Sequence, residues 1–122
     1  MRNQFALLAL VAALTAGVAC RGSEEEAALP AMLKARFETE MKTILHDLKL
    51  AEETANALTG QYLELQPLQS QYFNRPVPET YDLQLTDVSG SGYRAVITHR
   101  ASGISCRLEV ETGEGRGVPI CG

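Results

Sequence analysis

The chain has few of the residues that most catalytic sites require. It has no tryptophan, only two histidines and 6% aromatic residues. It has no H-E-x-x-H spacing for a metal, no G-x-S-x-G element for a nucleophilic serine and no C-x-x-C pair. These absences argue against an enzyme and against any cofactor, and they predict a mostly aliphatic core.

The charge balance excludes another class of partner. Residues 20–122 carry all 15 acidic residues and every basic residue of the 11 except Arg2, so their net charge is about −5. Nucleic-acid-binding proteins concentrate lysine and arginine on one face, so no nucleic-acid partner is expected. A chain of this length supports one modest hydrophobic core.

The N-terminus has the pattern of an export signal. Arg2 precedes an apolar stretch from Phe5 to Leu14, and small residues follow up to Ala19. The apolar run is shorter than the roughly 20 residues that a transmembrane helix needs, so a signal peptide over residues 1–19 is predicted. The mature protein is therefore expected outside the cytoplasm.

The residues Gly17-Val18-Ala19-Cys20 resemble the lipobox of bacterial lipoproteins. That resemblance implies acylation of Cys20, residues 20–28 as a lipidated tether and a partner in the membrane. Several acyl chains would anchor the protein stably. Because Gly17-x-Ala19 also suits ordinary signal peptidase, a soluble secreted protein with a free Cys20 is the alternative.

The other two cysteines are predicted to form a disulfide. Residues between Cys106 and Cys121 read as a hairpin centred near Gly113 and Glu114, which places the two cysteines opposite each other. An oxidising compartment outside the cytoplasm would join them. No metal site is expected.

A helix is predicted over Leu29 to Thr59, with Pro30 in its first turn and Gly60 as its stop. Apolar residues recur at alternating steps of four and three and so mark one face of this helix. They are Phe37, Met41, Ile44, Leu48, Ala51, Ala55 and Leu58. This stripe favours packing on the chain's own sheet, with a coiled-coil dimer as the alternative.

After residue 80 the pattern changes to alternation typical of strands. One hairpin is predicted around the turn Ser89-Gly90-Ser91-Gly92, and a second turn near Ser102-Gly103 leads to a third strand. The alternating positions that share one face of each strand are Tyr81, Leu83, Leu85, Tyr93, Ala95, Ile97, His99, Ile104, Cys106, Leu108 and Val110. The predicted fold class is therefore α+β, one long helix packed on a three- to four-stranded antiparallel meander, and residues 29–122 form a single domain.

Three segments resemble the globular region of type IV pilins and pseudopilins. They are the helix Met41–Thr54 running into Thr59-Gly60-Gln61-Tyr62, the strand Gly92–His99, and Cys106–Val110. The resemblance implies a pilin-like domain with a structural or adaptor role in the cell envelope, and a pilus or other envelope protein as a partner. Residues 1–26 lack the pilin leader site, so a lipid tether would replace the pilin stalk.

Between Gln61 and Glu79 the pattern is irregular, and Pro67, Pro76 and Pro78 predict a loop without helix or strand. Exposed Tyr72, Phe73 and Arg75 are the candidate binding residues of this loop. They define the alternative function, an exported small-ligand or protein-binding module that uses residues 61–79.

The remaining polar residues receive structural interpretations. His46 and His99 are predicted at the surface or at a sheet edge, and Ser91, Ser102 and Ser105 in turns. The glycine-rich segment 113–117 is predicted as a hairpin tip. Alternating charges along the helix predict a solvated face, made of Glu38, Glu40, Lys42, Asp47, Lys49, Glu52 and Glu53. No residue is predicted to be catalytic.

Overall fold

The computed structural model describes residues 2–111 and 117–122, with side chains from Ala31 onward. The chain divides into two compact units, Met1–Ala35 and Arg36–Gly122. The elements are α1 (Arg2–Thr59), α2 (Leu65–Gln71), β1 (Tyr81–Thr86), β2 (Gly92–His99), β3 (Ser105–Glu111) and β4 (Ile120–Cys121). One long helix and a four-stranded antiparallel sheet confirm the predicted α+β class.

The apolar stripe of α1 forms the helical side of the core. Met41, Ile44 and Leu48 are fully buried, and Ala55 is the last buried position of the helix. Leu58 is 72% exposed, so its predicted place in the core is wrong, because the final turn of the helix no longer packs. Leu45 is fully buried although the predicted stripe omitted it, since a helix packed on a broad sheet buries more than its a and d positions.

The predicted end of α1 is confirmed, and the helix extends toward the N-terminus past its predicted start. Gly60 adopts a left-handed φ of 78°, and its amide donates to the Asn56 carbonyl at 2.8 Å, which closes the last turn. At the other end α1 begins at Arg2 instead of Leu29.

The segment 61–79 contains a helix that the sequence pattern did not predict. Pro67 is the third residue of α2, in the first turn, where a backbone amide would have no intrahelical partner anyway. The expectation of a loop without regular structure is therefore wrong. Leu68, fully buried, attaches α2 to the core.

The sheet is a meander of order β1-β2-β3-β4 in which every neighbouring pair is antiparallel. The predicted first hairpin is confirmed. Its strands β1 and β2 pair with Tyr81 opposite His99 and Leu83 opposite Ile97. Gly92 permits a close approach of β2 and β3, because a Cβ at this position would lie 2.0 Å from the Val110 carbonyl oxygen. The backbone of β2 therefore requires glycine here.

A disulfide joins Cys106 in β3 to Cys121 in β4, as predicted, with the two Cα atoms 3.9 Å apart. The two residues are direct partners in the sheet register. Constraining a loop with a sequence separation of 15 stabilises a fold by about 3 kcal/mol in the chain-entropy model. The predicted hairpin tip at Gly113 and Glu114 lies outside the described residues.

One cluster of buried side chains connects α1, α2 and the inner face of the sheet. Its members are Met41, Ile44, Leu45, Leu48, Ala51, Ala55, Leu68, Phe73, Tyr81, Tyr93, Ala95, Ile97, Cys106, Leu108 and Val110. The predicted packing of the helix stripe on the chain's own sheet is therefore confirmed.

Candidate functional site

Polar side chains enter the core at two places along α1. One is near Glu40, where the helix faces the C-terminal end of β2, and the other is at Glu52, where it faces the beginning of β2. Twelve residues of helix separate these positions, about 18 Å at the usual rise. We call them the His99 cluster (Phe37, Glu40, Tyr81, His99, Ser102) and the Glu52 cluster (Glu52, Tyr62, Leu63, Tyr93).

His99 lies in an aromatic pocket in the His99 cluster. Its ring stacks on Phe37 with centroids 3.9 Å apart and meets Tyr81 edge-on at 5.5 Å. Only 7% of His99 is exposed, so its predicted position at the surface or at a sheet edge is wrong. The cause is its register on β2, a central strand, where it continues the inward alternation of Ala95 and Ile97.

The hydrogen bonds of His99 organise the turn between β2 and β3. Nδ1 lies 2.7 Å from Ser102 Oγ and also accepts the Ser102 amide at 3.3 Å. Because Nδ1 accepts a backbone N–H, the neutral tautomer with the proton on Nε2 fits this site. The Ser102 oxygen in turn accepts the Ile104 amide at 3.3 Å, so this serine acts as a turn former, as predicted for its position.

Tyr81 completes the His99 cluster. Its hydroxyl donates to Glu40 Oε2 at 2.8 Å, and its ring is 4% exposed. Burial, together with the hydrogen bond to the Glu40 carboxylate, raises the pKa of Tyr81 to about 12. The phenol therefore stays protonated and serves as a fixed donor.

The Glu52 cluster contains a fully buried carboxyl group. Glu52 is 0% exposed, so its predicted place on a solvated helix face is wrong. Its Oε1 accepts the Leu63 amide at 2.8 Å, but Oε2 has no hydrogen-bond partner among the described residues. Burial raises the pKa of Glu52 to about 7, with the Leu63 hydrogen bond acting in the opposite direction.

Tyr93 faces this carboxyl from β2. The tyrosine is 3% exposed and its hydroxyl also has no partner among the described residues. Burial raises the pKa of Tyr93 far above its usual value, and the nearby Glu52 carboxyl raises it further. Tyr62 packs edge-on against the Tyr93 ring at 5.1 Å, which closes the cluster on the side of the segment after α1.

The three candidate binding residues of segment 61–79 do not form one exposed patch. Phe73 is 3% exposed and belongs to the core, so its predicted exposure is wrong; the short helix α2 turns this side chain inward. Tyr72 is half-buried and packs against the core. Arg75 is exposed and forms an ion pair with Asp47 of α1.

Shallow concavities lie elsewhere on the described part of the surface. One of about 290 Å³ lies at the β1–β2 turn and includes Asp87, Ser89 and Glu111. The second, of about 400 Å³, lies between α1 and the C-terminal segment. Its lining is Thr39, Lys42, Thr43, His46, Val118 and Pro119, and we call it the α1 groove.

His46 is exposed, as predicted, and lines the α1 groove, whereas His99 is buried in the core. Within residues 31–111 and 117–122, no three histidine, cysteine or acidic side chains are grouped as a metal site. Over that same part of the chain, no helix is both long and apolar enough to cross a bilayer. The side chains of the predicted signal peptide and of Cys20, and most of the glycine-rich segment 113–117, lie outside the described part of the chain.

Comparisons of the chain with protein-family models, with curated proteins and with solved structures gave no match.

The burial of Glu52 was not predicted, although the sequence contains a signal for it. Glu52 follows Leu48 by four residues and precedes Ala55 by three, which puts it on the apolar face of the helix. The charged residues around Glu52 led to its assignment to the solvated face. Its spacing from Leu48 and Ala55 is the signal that indicates burial.

Proposed function

We propose that this chain is a non-enzymatic lipoprotein of the cell envelope, anchored through Cys20, in which residues 36–122 form a pilin-like structural or adaptor module. The observation that supports it best is the architecture: the apolar stripe of a long helix is covered by a four-stranded antiparallel meander whose last two strands share a disulfide. This arrangement is the one that the resemblance to pilins implies. The disulfide also fits an oxidising compartment.

The polar groups of the His99 cluster support a role without catalysis. His99 and Ser102 hold a turn, and the Tyr81 hydroxyl is bound to Glu40. Both concavities are open and lie on the outside of the helix and sheet. A protein built in this way is suited to contact another macromolecule.

The α1 groove is the surface that we assign to this contact. Val118 is 69% exposed and presents an apolar side chain beside Lys42 and His46 in this groove. Exposed apolar side chains with polar residues around them are typical of protein interaction sites. The proposed partner is an envelope protein that places apolar and acidic side chains in this groove.

The alternative, a binding module that uses segment 61–79, has less support. Phe73 is part of the core and Arg75 is engaged with Asp47, so two of its three candidate residues are committed to internal contacts.

The anchor is tested by expressing the chain in a bacterium with an alkyne-labelled fatty acid. We expect label on the wild type, loss of label in Cys20→Ser, and accumulation of the precursor when lipoprotein signal peptidase is inhibited. An unlabelled wild-type protein in the soluble fraction would contradict the anchor.

The adaptor role is tested separately by photo-crosslinking in cells. A photoreactive amino acid at His46 should give one discrete protein adduct, whereas the same probe at exposed Gln84 on the opposite side of the sheet should not. Equal labelling from both positions, or none from His46, would contradict an interface at the α1 groove.

A further inference from the structure

The Glu52 cluster joins three parts of the fold through one carboxyl group. Glu52 belongs to α1, the Leu63 amide that it binds lies in the connection to α2, and the Tyr93 hydroxyl comes from β2. The carboxyl group is therefore the polar link between the end of the long helix and the segment that follows it. The Tyr62 ring on Tyr93 is the apolar counterpart of that link.

The ionised form of this link has little to stabilise it. Oε2 and the Tyr93 hydroxyl are both buried without a hydrogen-bond partner among the described residues. A buried charge that keeps one backbone N–H as its sole donor is costly, because water no longer solvates its second oxygen. The protonated carboxylic acid avoids that cost and keeps Oε1 as the acceptor for Leu63.

The groups that face the carboxyl do not offset its charge. On α1 the adjacent residue is Glu53, also acidic, and Lys49 is directed to the Gly117 carbonyl at 2.9 Å and toward Glu53 at 3.9 Å. The following segment contributes the neutral Tyr62 and the exposed, acidic Glu64, and β2 contributes the neutral Tyr93. No basic side chain among the described residues pairs with Glu52.

We propose that Glu52 is a pH-sensitive latch that holds residues 61–64 against α1 and β2 when protonated and releases them when ionised. Release hydrates the carboxylate and moves Tyr62 and Leu63 away from Tyr93. The device is independent of the proposed envelope function, since it depends on the fold alone.

Proton linkage sets the size and direction of the effect. The pKa of Glu52 is about 7 in the closed state, against 4.5 for a solvated glutamate, so opening becomes more favourable as the pH rises between these values. The opening constant increases about tenfold per pH unit, about 300-fold in total, and is constant above pH 7. Below pH 4.5 the opening constant is at its lowest and no longer depends on pH.

Amide hydrogen exchange measured by NMR between pH 4.5 and 8.5 tests the latch. The protection factor of the Leu63 amide should fall by about two orders of magnitude, and to lower values than those of core amides such as Ile97. Glu52→Gln, which keeps an acceptor for Leu63 without a titrating group, should make that protection independent of pH. Glu53→Gln, on the exposed neighbour, should leave the wild-type profile unchanged.

Two results would overturn the proposal. One is a Leu63 protection factor that matches those of core amides at every pH, since exchange would then occur through global unfolding alone. The other comes from the wild type without any variant: the carboxyl ¹³C shift of Glu52 should titrate with a midpoint near 7, and a midpoint near 4.5 would exclude the latch.

Discussion

The two polar clusters along α1 occupy similar positions and satisfy their hydrogen bonds very differently. In the His99 cluster, each polar side chain has a partner: Tyr81 with Glu40, and His99 with Ser102. In the Glu52 cluster, Glu52 Oε2 and the Tyr93 hydroxyl have none among the described residues. A buried polar group stabilises a fold when it is paired and destabilises it when it is not, so the first cluster is expected to stabilise the domain and the second to weaken it.

The largest effect should come from a charge placed between the two clusters. Leu48→Asp puts an unpaired carboxylate at a fully buried position and should lower the free energy of unfolding by more than about 4 kcal/mol, enough to unfold the domain. Leu50→Asp, at a position that is 49% exposed, is the matched control and should show a cooperative thermal transition like that of the wild type. Circular dichroism melts compare the two, and a cooperative transition in Leu48→Asp would show that the helix does not form the core.

The next effect is a pH dependence of stability that comes from the Glu52 cluster. Because folding raises the pKa of Glu52 from 4.5 to about 7, the unfolded state binds fewer protons than the folded state between these values. The free energy of unfolding should therefore fall by up to about 3 kcal/mol as the pH rises from 4.5 to 7, and then stay level. Urea denaturation at several pH values measures this slope, which Glu52→Gln should abolish.

The same substitution in each cluster compares a paired tyrosine hydroxyl with one that is unpaired among the described residues. Tyr81→Phe removes the donor to Glu40 and should cost about 1 kcal/mol of unfolding free energy, whereas Tyr93→Phe removes an unpartnered hydroxyl and should be neutral or stabilising. Equal losses in chemical denaturation would mean that the Tyr93 hydroxyl has a partner after all, and would remove the difference between the two clusters.

The smallest effect should be at the surface. Asp47→Asn breaks the exposed pair with Arg75 and should change the free energy of unfolding by less than about 0.5 kcal/mol, with little dependence on salt once the pair is gone. A loss comparable to that of Tyr81→Phe would show that the pair helps to hold segment 61–79 on the helix.

Periodicity predicted most of the architecture. The steps of three and four identified the helix face, and the alternation after Tyr81 identified the meander and placed Cys106 opposite Cys121. These elements follow local rules of side-chain direction, which sequence spacing records directly.

The features that could not be predicted from the sequence depend on packing between segments. The α2 helix has a proline at its third residue and is held by buried Leu68, a tertiary contact that local propensity does not encode. Glu52 and His99 were assigned to solvent because their side chains are polar, although their spacing placed them on inner faces. At both positions, sequence spacing predicts burial better than side-chain polarity does.

The brevity of β4 gives the disulfide a further meaning. With two residues, this strand has a ladder too short to hold itself on the sheet, and its sulfur bridge to β3 supplies the missing attachment. In a reducing cytosol the C-terminal residues would detach, leaving β3 as a bare edge. The thiol chemistry of the surroundings therefore decides whether the sheet keeps its fourth strand.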